Sequence, residues 1–389
     1  MTITQQAIVT LLKSAVTRQA LPLPEGFDLE SVYNLVKAHH MVPMIYDGAV
    51  RCGISKQEPV MQKLFQEYLR ALMVSEKQMQ QLSRVFSAFE EAGIEYLPLK
   101  GCTMKALYPA PELRVMGDAD VLIRLEQYEK IVPIMQALGF TNKADTDHEL
   151  VWTGDGLYLE LHKRLIPSYN ADFHDYYGNS WRFAREKNGC CWQMSPEDTY
   201  LFQFTHFAKH YRDGGIGCRY VVDLWVYLRA NPQMDFDYLE GELEKLQLLT
   251  FYRNIRRLIG AWFEEGQRDE VVDFITDFIF DSGSWGRAES RAASVGVRDS
   301  GQENNSAKSR FKYLLGVAFP NIRKVRYEYP VLQKAPWLLP VVWVVRPFRK
   351  VLLDRGSLKR YRRALRQRRP EQIKTQRQML NYVGLDYHF

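Results

Sequence analysis

Apolar positions in the first part of the chain recur at helical intervals. In "LESVYNLVKAHHMVPMIYDGAV" they fall three and four residues apart, which predicts a helix stopped by Pro43. A longer amphipathic helix runs through "SEKQMQQLSRVFSAFEEAG", with Leu82, Val85, Phe86 and Phe89 on one face and Gly93 as its stop. The period then shortens. "IEYLPL" is a short strand, and "KGCTMKALYP" is a turn opening into a helix. A strand over 118–123, "DADVLI", is followed by the helix "LEQYEKIVPIMQALGF", which ends at Gly139. "GLYLELHKRL" (156–165) alternates, sending Leu159 and Leu161 to one side and Tyr158, Glu160 and His162 to the other. Helix and strand alternating over about 90 residues predict a compact α/β or α+β unit whose sheet need not be purely parallel.

Helical periodicity returns from Ser195 to about Phe280. "SPEDTYLFQFTHFAKHY" opens with a capping pair, Ser195 and Asp198, and puts Tyr200, Phe204, Phe207 and Tyr211 on one core stripe. "CRYVVDLWVYLRA" and "LTFYRNIRRLIGAWFEEG" continue the bundle. The stretch 281–309 is rich in Ser, Gly, Asn and charge and reads as a linker. Five regions follow: N-terminal helices over 1–75, a sheet-containing core over 76–190, helices over 191–280, the linker, and a basic C-terminal region over 310–389. There is no internal repeat.

Composition adds limits. At 389 residues, 46% hydrophobic and 25% charged, the chain has an ordinary globular balance with room for two or three domains. Its five cysteines (Cys52, Cys102, Cys190, Cys191 and Cys218) show no metal-ligand spacing and are expected as reduced thiols in a cytoplasmic protein. The N-terminus lacks a signal-peptide layout, and no apolar run approaches the length of a spanning helix. "PWLLPVVWVV" (336–345) is too short to span and is interrupted by Pro340. The net charge of +6 is uneven: Arg346–Phe389 holds thirteen Lys and Arg against three Asp and Glu. Basicity belongs to the tail, where 336–369 is a candidate contact with a membrane surface or a partner, peripheral to an otherwise soluble chain.

Three features carry candidate chemistry. Lys100-Gly101 lies between a strand and a helix, a turn that lets backbone approach a phosphate. Asp118 and Asp120 share one side of a strand, where they repel unless a cation or water intervenes. Glu160 lies on a later strand whose polar face also carries His162. Hard oxygen ligands of this kind suit Mg²⁺ (or Mn²⁺) bridging to phosphates. His206 and His210 are four apart, but "HFAKH" lacks the glutamate of a zinc-protease helix. Asp223 sits inside the apolar run "YVVDLWVYL" and needs a partner, with Arg219 or a histidine of the preceding helix the natural choices.

"LPLKGCTMKALYP", "ELRVMGDADVLI" and "LYLELHKRL" together resemble a bacterial nucleotidyltransferase family, largely uncharacterised, within the DNA polymerase beta-like nucleotidyltransferase superfamily. The flanks "AHHMVPMIY" and "PEDTYLFQFTHFAKHYRDGGIGCRYVVDLW" resemble that family's helical segments, so the likeness covers roughly residues 30–230. The resemblance implies an α+β fold: a small mixed-sheet nucleotidyltransferase core flanked by N-terminal and C-terminal helical regions. It implies that Asp118, Asp120 and Glu160 bind the metal and are catalytic. Lys100, Gly101, Cys102, Arg114 and His162 would meet the nucleotide, and His206, His210 and Asp223 would line the cleft. Lys100 stands in for a serine that the superfamily usually has after the glycine. Arg114 is a candidate phosphate clamp or one half of an ion pair with Glu112 or Asp118. His162 is a base or a donor to a carboxylate.

The implied reaction transfers a nucleoside monophosphate from a nucleoside triphosphate to an acceptor hydroxyl with release of pyrophosphate. The acceptor is left open among a small molecule, a sugar, a peptide or protein side chain and an RNA end. The alternative is a catalytically weak nucleotide-binding protein that binds RNA, membrane or a partner through its basic tail. The intact acid triad argues against it. A kinase-type phosphate loop is absent from the sequence.

Overall fold

The computed structural model describes residues 1–168, 170–283, 331–345 and 370–386, with 315, 319 and 329 besides. The linker beyond residue 283 and the basic run at 359–369 lie outside the described residues.

Helix α1 (Ile3–Thr17) starts at a capping box in which Thr2 and Gln5 satisfy each other's backbone N–H groups. It is followed by α2 (Leu29–Ala38) and α3 (Val42–Arg51). The helix expected to run up to Pro43 is therefore two helices. His40 takes a φ of 54°, which a right-handed helix cannot contain, and Pro43 falls in the first turn of α3, where its missing N–H costs nothing. Helix α4 (Pro59–Glu91) has 33 residues, and at 1.5 Å per residue it is about 50 Å long. It runs straight through residue 75. One half packs on α3, and the other lies under the sheet.

The sheet has seven strands among the described residues: β1 (Tyr96–Leu99), β2 (Ala119–Ile123), β3 (Thr141–Asp145), β4 (Glu149–Gly154), β5 (Leu157–His162), β6 (Arg185–Asn188) and β7 (Cys191–Gln193). Their order is β3-β4-β5-β2-β1-β7-β6. The β2–β5 and β1–β7 pairs are parallel and the rest antiparallel, so the sheet is mixed and the fold α+β. The short helix α5 (Gly101–Met104) follows β1, and α6 (Tyr128–Ala137) follows β2. After β5 come α7 (Ala171–Tyr177), then α8 (Pro196–Arg212), α9 (Cys218–Ala230), α10 (Phe236–Lys245), α11 (Leu249–Phe263) and α12 (Glu270–Ser282).

Strand alternation divides the interior in two. Val121, Ile123, Leu159, Leu161, Leu150 and Trp152 face α4 and α6, where they meet Leu82, Val85, Phe89, Ile131 and Met135. Leu97, Leu99 and Leu122 join a larger core on the opposite side, built from α1–α3, α8–α12 and the C-terminal Leu380, Val383 and Leu385. The N-terminal and later helices, far apart in the chain, thus share one core on the face that carries the acids. No helix among the described residues is long and apolar enough to cross a membrane. All five cysteines are free.

Candidate active site

Register brings the acids together. In the parallel β2–β5 pair Asp120 stands opposite Glu160, and Leu122 stands opposite His162. Because Ala119 and Val121 are committed to the α4–α6 core, Asp120 must turn to the other face. Asp120 and His162 are almost fully buried, at 2% and 1% exposure. Asp120 Oδ1 accepts from Lys100 Nζ at 2.7 Å and from His162 Nε2 at 2.8 Å. His162 Nε2 also lies 3.7 Å from Glu160 Oε2. Ligand-capable atoms of Asp120, Glu160 and His162 fall within 4.8 Å of one another. Asp118, just before the strand, is outside that tight group but lines the same cavity of about 480 Å³.

The electrostatics are those of a site short of positive charge. Burial alone would raise the Asp120 carboxyl, but the Lys100 ammonium and His162 hold it well below the usual range. At Glu160 the Lys100 charge is outweighed. Burial, then the nearby carboxylates Glu149 and Asp120, push it up to about 8. Lys100 is held above its ordinary value by Asp120 and Asp118 despite its burial. An all-oxygen set crowded enough to drive a carboxyl toward its neutral form fits a hard dication, with His162 as a hydrogen-bond donor to Asp120.

The turn that carries Lys100 is strained. Lys100 has φ 43° and ψ −112°, a conformation that costs a non-glycine residue about 1–3 kcal/mol. It directs the ammonium back across β2. Gly101 lines the cavity, and its lack of a side chain is also needed for packing. A Cβ there would lie 2.7 Å from Arg114 Nη1 and 2.8 Å from Met116 Sδ, so the bare backbone makes room for protein side chains. Helix α5 is four residues long, too short to develop a strong terminal dipole. Cys102 does not join the cavity. It packs with the α4–α6 core, and burial pushes its thiol up to about 12.

Arg114 lines the cavity but is paired with neither Glu112 nor Asp118. Its Nε and Nη2 bond Asp223 of α9 at 3.2 and 2.9 Å, and Tyr108 donates to the same carboxylate at 2.7 Å. Asp223 is therefore paired with Arg114 and Tyr108, not with Arg219 or a histidine. The distant partner lies across the two cores, where residue spacing within α9 carries no signal. The carbonyls of Arg114, Val115 and Met116, just upstream of Gly117 and Asp118, are each held by a side chain from a different element. Lys105 Nζ donates to Arg114 O at 2.9 Å, Arg219 Nη1 to Val115 O at 3.0 Å and Gln78 Nε2 to Met116 O at 3.0 Å. The loop presenting Asp118 is thereby pinned from α4, α9 and the turn after α5.

Helix α8 forms the facing wall. His206 and His210 line the cavity, their Nε2 atoms 3.0 Å apart. Burial, then Lys100, holds His206 well below its ordinary value. The two metal-capable clusters among the described residues do not include either histidine. Sequence reasoning missed Gln203 and Lys209 on the same helix, Arg219 as a wall residue, and His148 and Glu149 at the start of β4. Burial, then His162, lowers the His148 imidazole to about 2. Glu149 stands opposite His162 in the β4–β5 register. Only recognising β4 as a strand would have placed these last two beside Glu160.

Residues 25–264 match the family described as "Uncharacterised nucleotidyltransferase". No curated protein and no solved structure matches the chain.

Proposed function

The chain belongs to this nucleotidyltransferase family, and on that footing we propose that it transfers a nucleoside monophosphate from a triphosphate to an acceptor hydroxyl, with Asp118, Asp120 and Glu160 as the catalytic carboxylates. The observation that carries this reading is the β2–β5 register, which sets Asp120 beside Glu160 on the buried cavity face. Asp118, Asp120 and Glu160 would hold Mg²⁺ or Mn²⁺, and the bound ion would supply charge neutralisation at the α-phosphate and acidify the acceptor hydroxyl. His162 orients Asp120 through its 2.8 Å hydrogen bond. Lys100 supplies a fixed positive charge at the carboxylate floor. The acceptor oxygen forms the new bond to the α-phosphorus as the bond to the pyrophosphate oxygen breaks. The electron pair leaves on pyrophosphate, and the hydroxyl proton passes to the carboxylate set.

The cavity's walls come largely from α8 and α9, and the site chemistry leaves the acceptor's identity open. The test is purified protein with Mg²⁺ and each of the four labelled triphosphates, scored for pyrophosphate release and label transfer to protein, RNA and small-molecule extracts. Asp118→Asn and Asp120→Asn should each lower the rate by at least 10²-fold, in the range of lost transition-state electrostatics, without unfolding the protein. Full activity in both variants would refute the assignment.

A further inference from the structure

Four Lys and Arg side chains are buried among the described residues: Lys105, Arg114, Lys209 and Arg212. Three have protein partners. Lys105 donates to Arg114 O, Arg114 pairs with Asp223, and Arg212 pairs with Asp172. Lys209 is the exception. It is 8% exposed and lines the cavity, yet its ammonium makes no hydrogen bond or ion pair among the described residues. Burial, then the Lys100 charge, lowers it to about 8. Its stem is packed away while its ammonium opens on the cavity with no protein partner among the described residues, which leaves that charge available to a ligand.

Two neighbours share this condition. Gln203, 9% exposed and six residues earlier on α8, has a buried Nε2 with no partner, and it lines both this cavity and an adjoining one of about 400 Å³. Arg219 from α9 spends Nη1 on Val115 O but leaves Nε unpartnered. Unsatisfied donors thus gather on the α8–α9 wall, facing a floor of carboxylates. Such a wall suits a ligand that is rich in acceptors and negatively charged at one end while its other end meets the carboxylate floor.

We propose that Lys209, with Gln203 beside it, binds the β- and γ-phosphates of the nucleoside triphosphate whose α-phosphate lies at Asp118, Asp120 and Glu160. This rests on the nucleotidyl-transfer reading and adds the helical wall to the nucleotide site. As the bond between the α-phosphorus and the bridging oxygen breaks, the electron pair moves onto pyrophosphate, and the Lys209 ammonium donates to that developing charge.

The experiment is calorimetric titration of the full chain, with Mg²⁺ at pH 7, by each triphosphate, each monophosphate and inorganic tripolyphosphate. Lys209→Met, Lys209→Arg and Gln203→Leu are compared with the parent protein. Losing one hydrogen bond to a charged group corresponds to about 10- to 100-fold in affinity. Lys209→Met should weaken triphosphate and tripolyphosphate binding by that factor and leave monophosphate binding unchanged. Lys209→Arg should restore most of the loss, and Gln203→Leu should show a smaller loss of the same selectivity. Triphosphate affinity unchanged in folded Lys209→Met overturns the inference while nucleotidyl transfer stands. An equal loss for monophosphates also overturns it, because Lys209 would then lie at the other end of the ligand. A parent protein that binds no triphosphate removes both readings.

Discussion

Removal of the Asp223 carboxylate tests whether Arg114 is a strut or a phosphate clamp. Both side chains are 6% exposed, so Asp223→Ala leaves a guanidinium buried without its two hydrogen bonds and leaves the Tyr108 hydroxyl without an acceptor. Breaking a buried pair from one side costs about 3–5 kcal/mol, and an orphaned hydroxyl adds about 1–2 kcal/mol. The expected loss is therefore about 4–7 kcal/mol, a large part of the roughly 5–15 kcal/mol that keeps a protein folded. Arg114→Met leaves Tyr108 on Asp223 and should cost less, about 3 kcal/mol. Arg114→Met combined with Asp223→Ala removes both charges and should recover at least 2 kcal/mol relative to the sum of the single losses. Urea unfolding followed by far-UV circular dichroism and tryptophan fluorescence measures each loss. Triphosphate titration of the folded fraction then separates the two roles. A strut predicts affinity in Arg114→Met within a few-fold of the parent protein. Additive losses below about 1 kcal/mol, or a collapse of triphosphate affinity in a stable Arg114→Met, would refute the reasoning.

Lys209 makes a pH prediction of known sign. Its folded value of about 8 is below the unfolded value, so the penalty for burying its charge is complete below pH 8. The penalty fades toward pH 10.5, where the unfolded chain still holds the proton. The stability advantage of Lys209→Met should therefore shrink over that interval, and a constant difference would contradict the burial argument. Gly101→Ala should destabilise the fold by about 1–3 kcal/mol through overpacking, because its Cβ meets Arg114 and Met116; an unchanged melting temperature would show slack that the geometry denies. Cys102→Ala should leave triphosphate affinity unchanged and cost about 1 kcal/mol, since the thiol packs on the α4–α6 side. A tenfold loss of affinity would return Cys102 to the nucleotide. Glu160→Gln should weaken the gain in melting temperature that Mg²⁺ confers on the parent protein; an identical Mg²⁺ response would remove Glu160 from the metal set.

Local pattern carried much of the fold. Leu159 and Leu161 alternate with Glu160 and His162, so the polar face of β5 could be read from six residues, and the Ser195 cap announced α8. The pattern failed where strands are exposed and polar. β6, "REKN", is fully exposed and β3, "TNKAD", is only partly covered; neither shows the alternation that burial of one face imposes. Without β3 and β4 in view, His148 and Glu149 had no reason to join the site.

Side-chain periodicity within one element needs only the backbone repeat, and so the chain by itself determined that Asp118 and Asp120 lead a buried strand, that Glu160 shares a face with His162, and that Tyr200, Phe204, Phe207 and Tyr211 form a core stripe. The tertiary structure alone decided which strand lies beside which, that Arg114 reaches 109 residues along the chain to Asp223, that Cys102 turns away, and that Lys209 is buried with its charge unmatched. Those outcomes depend on how separate elements dock, where the cost of a buried charge and the volume of its neighbours are set by residues far away in sequence.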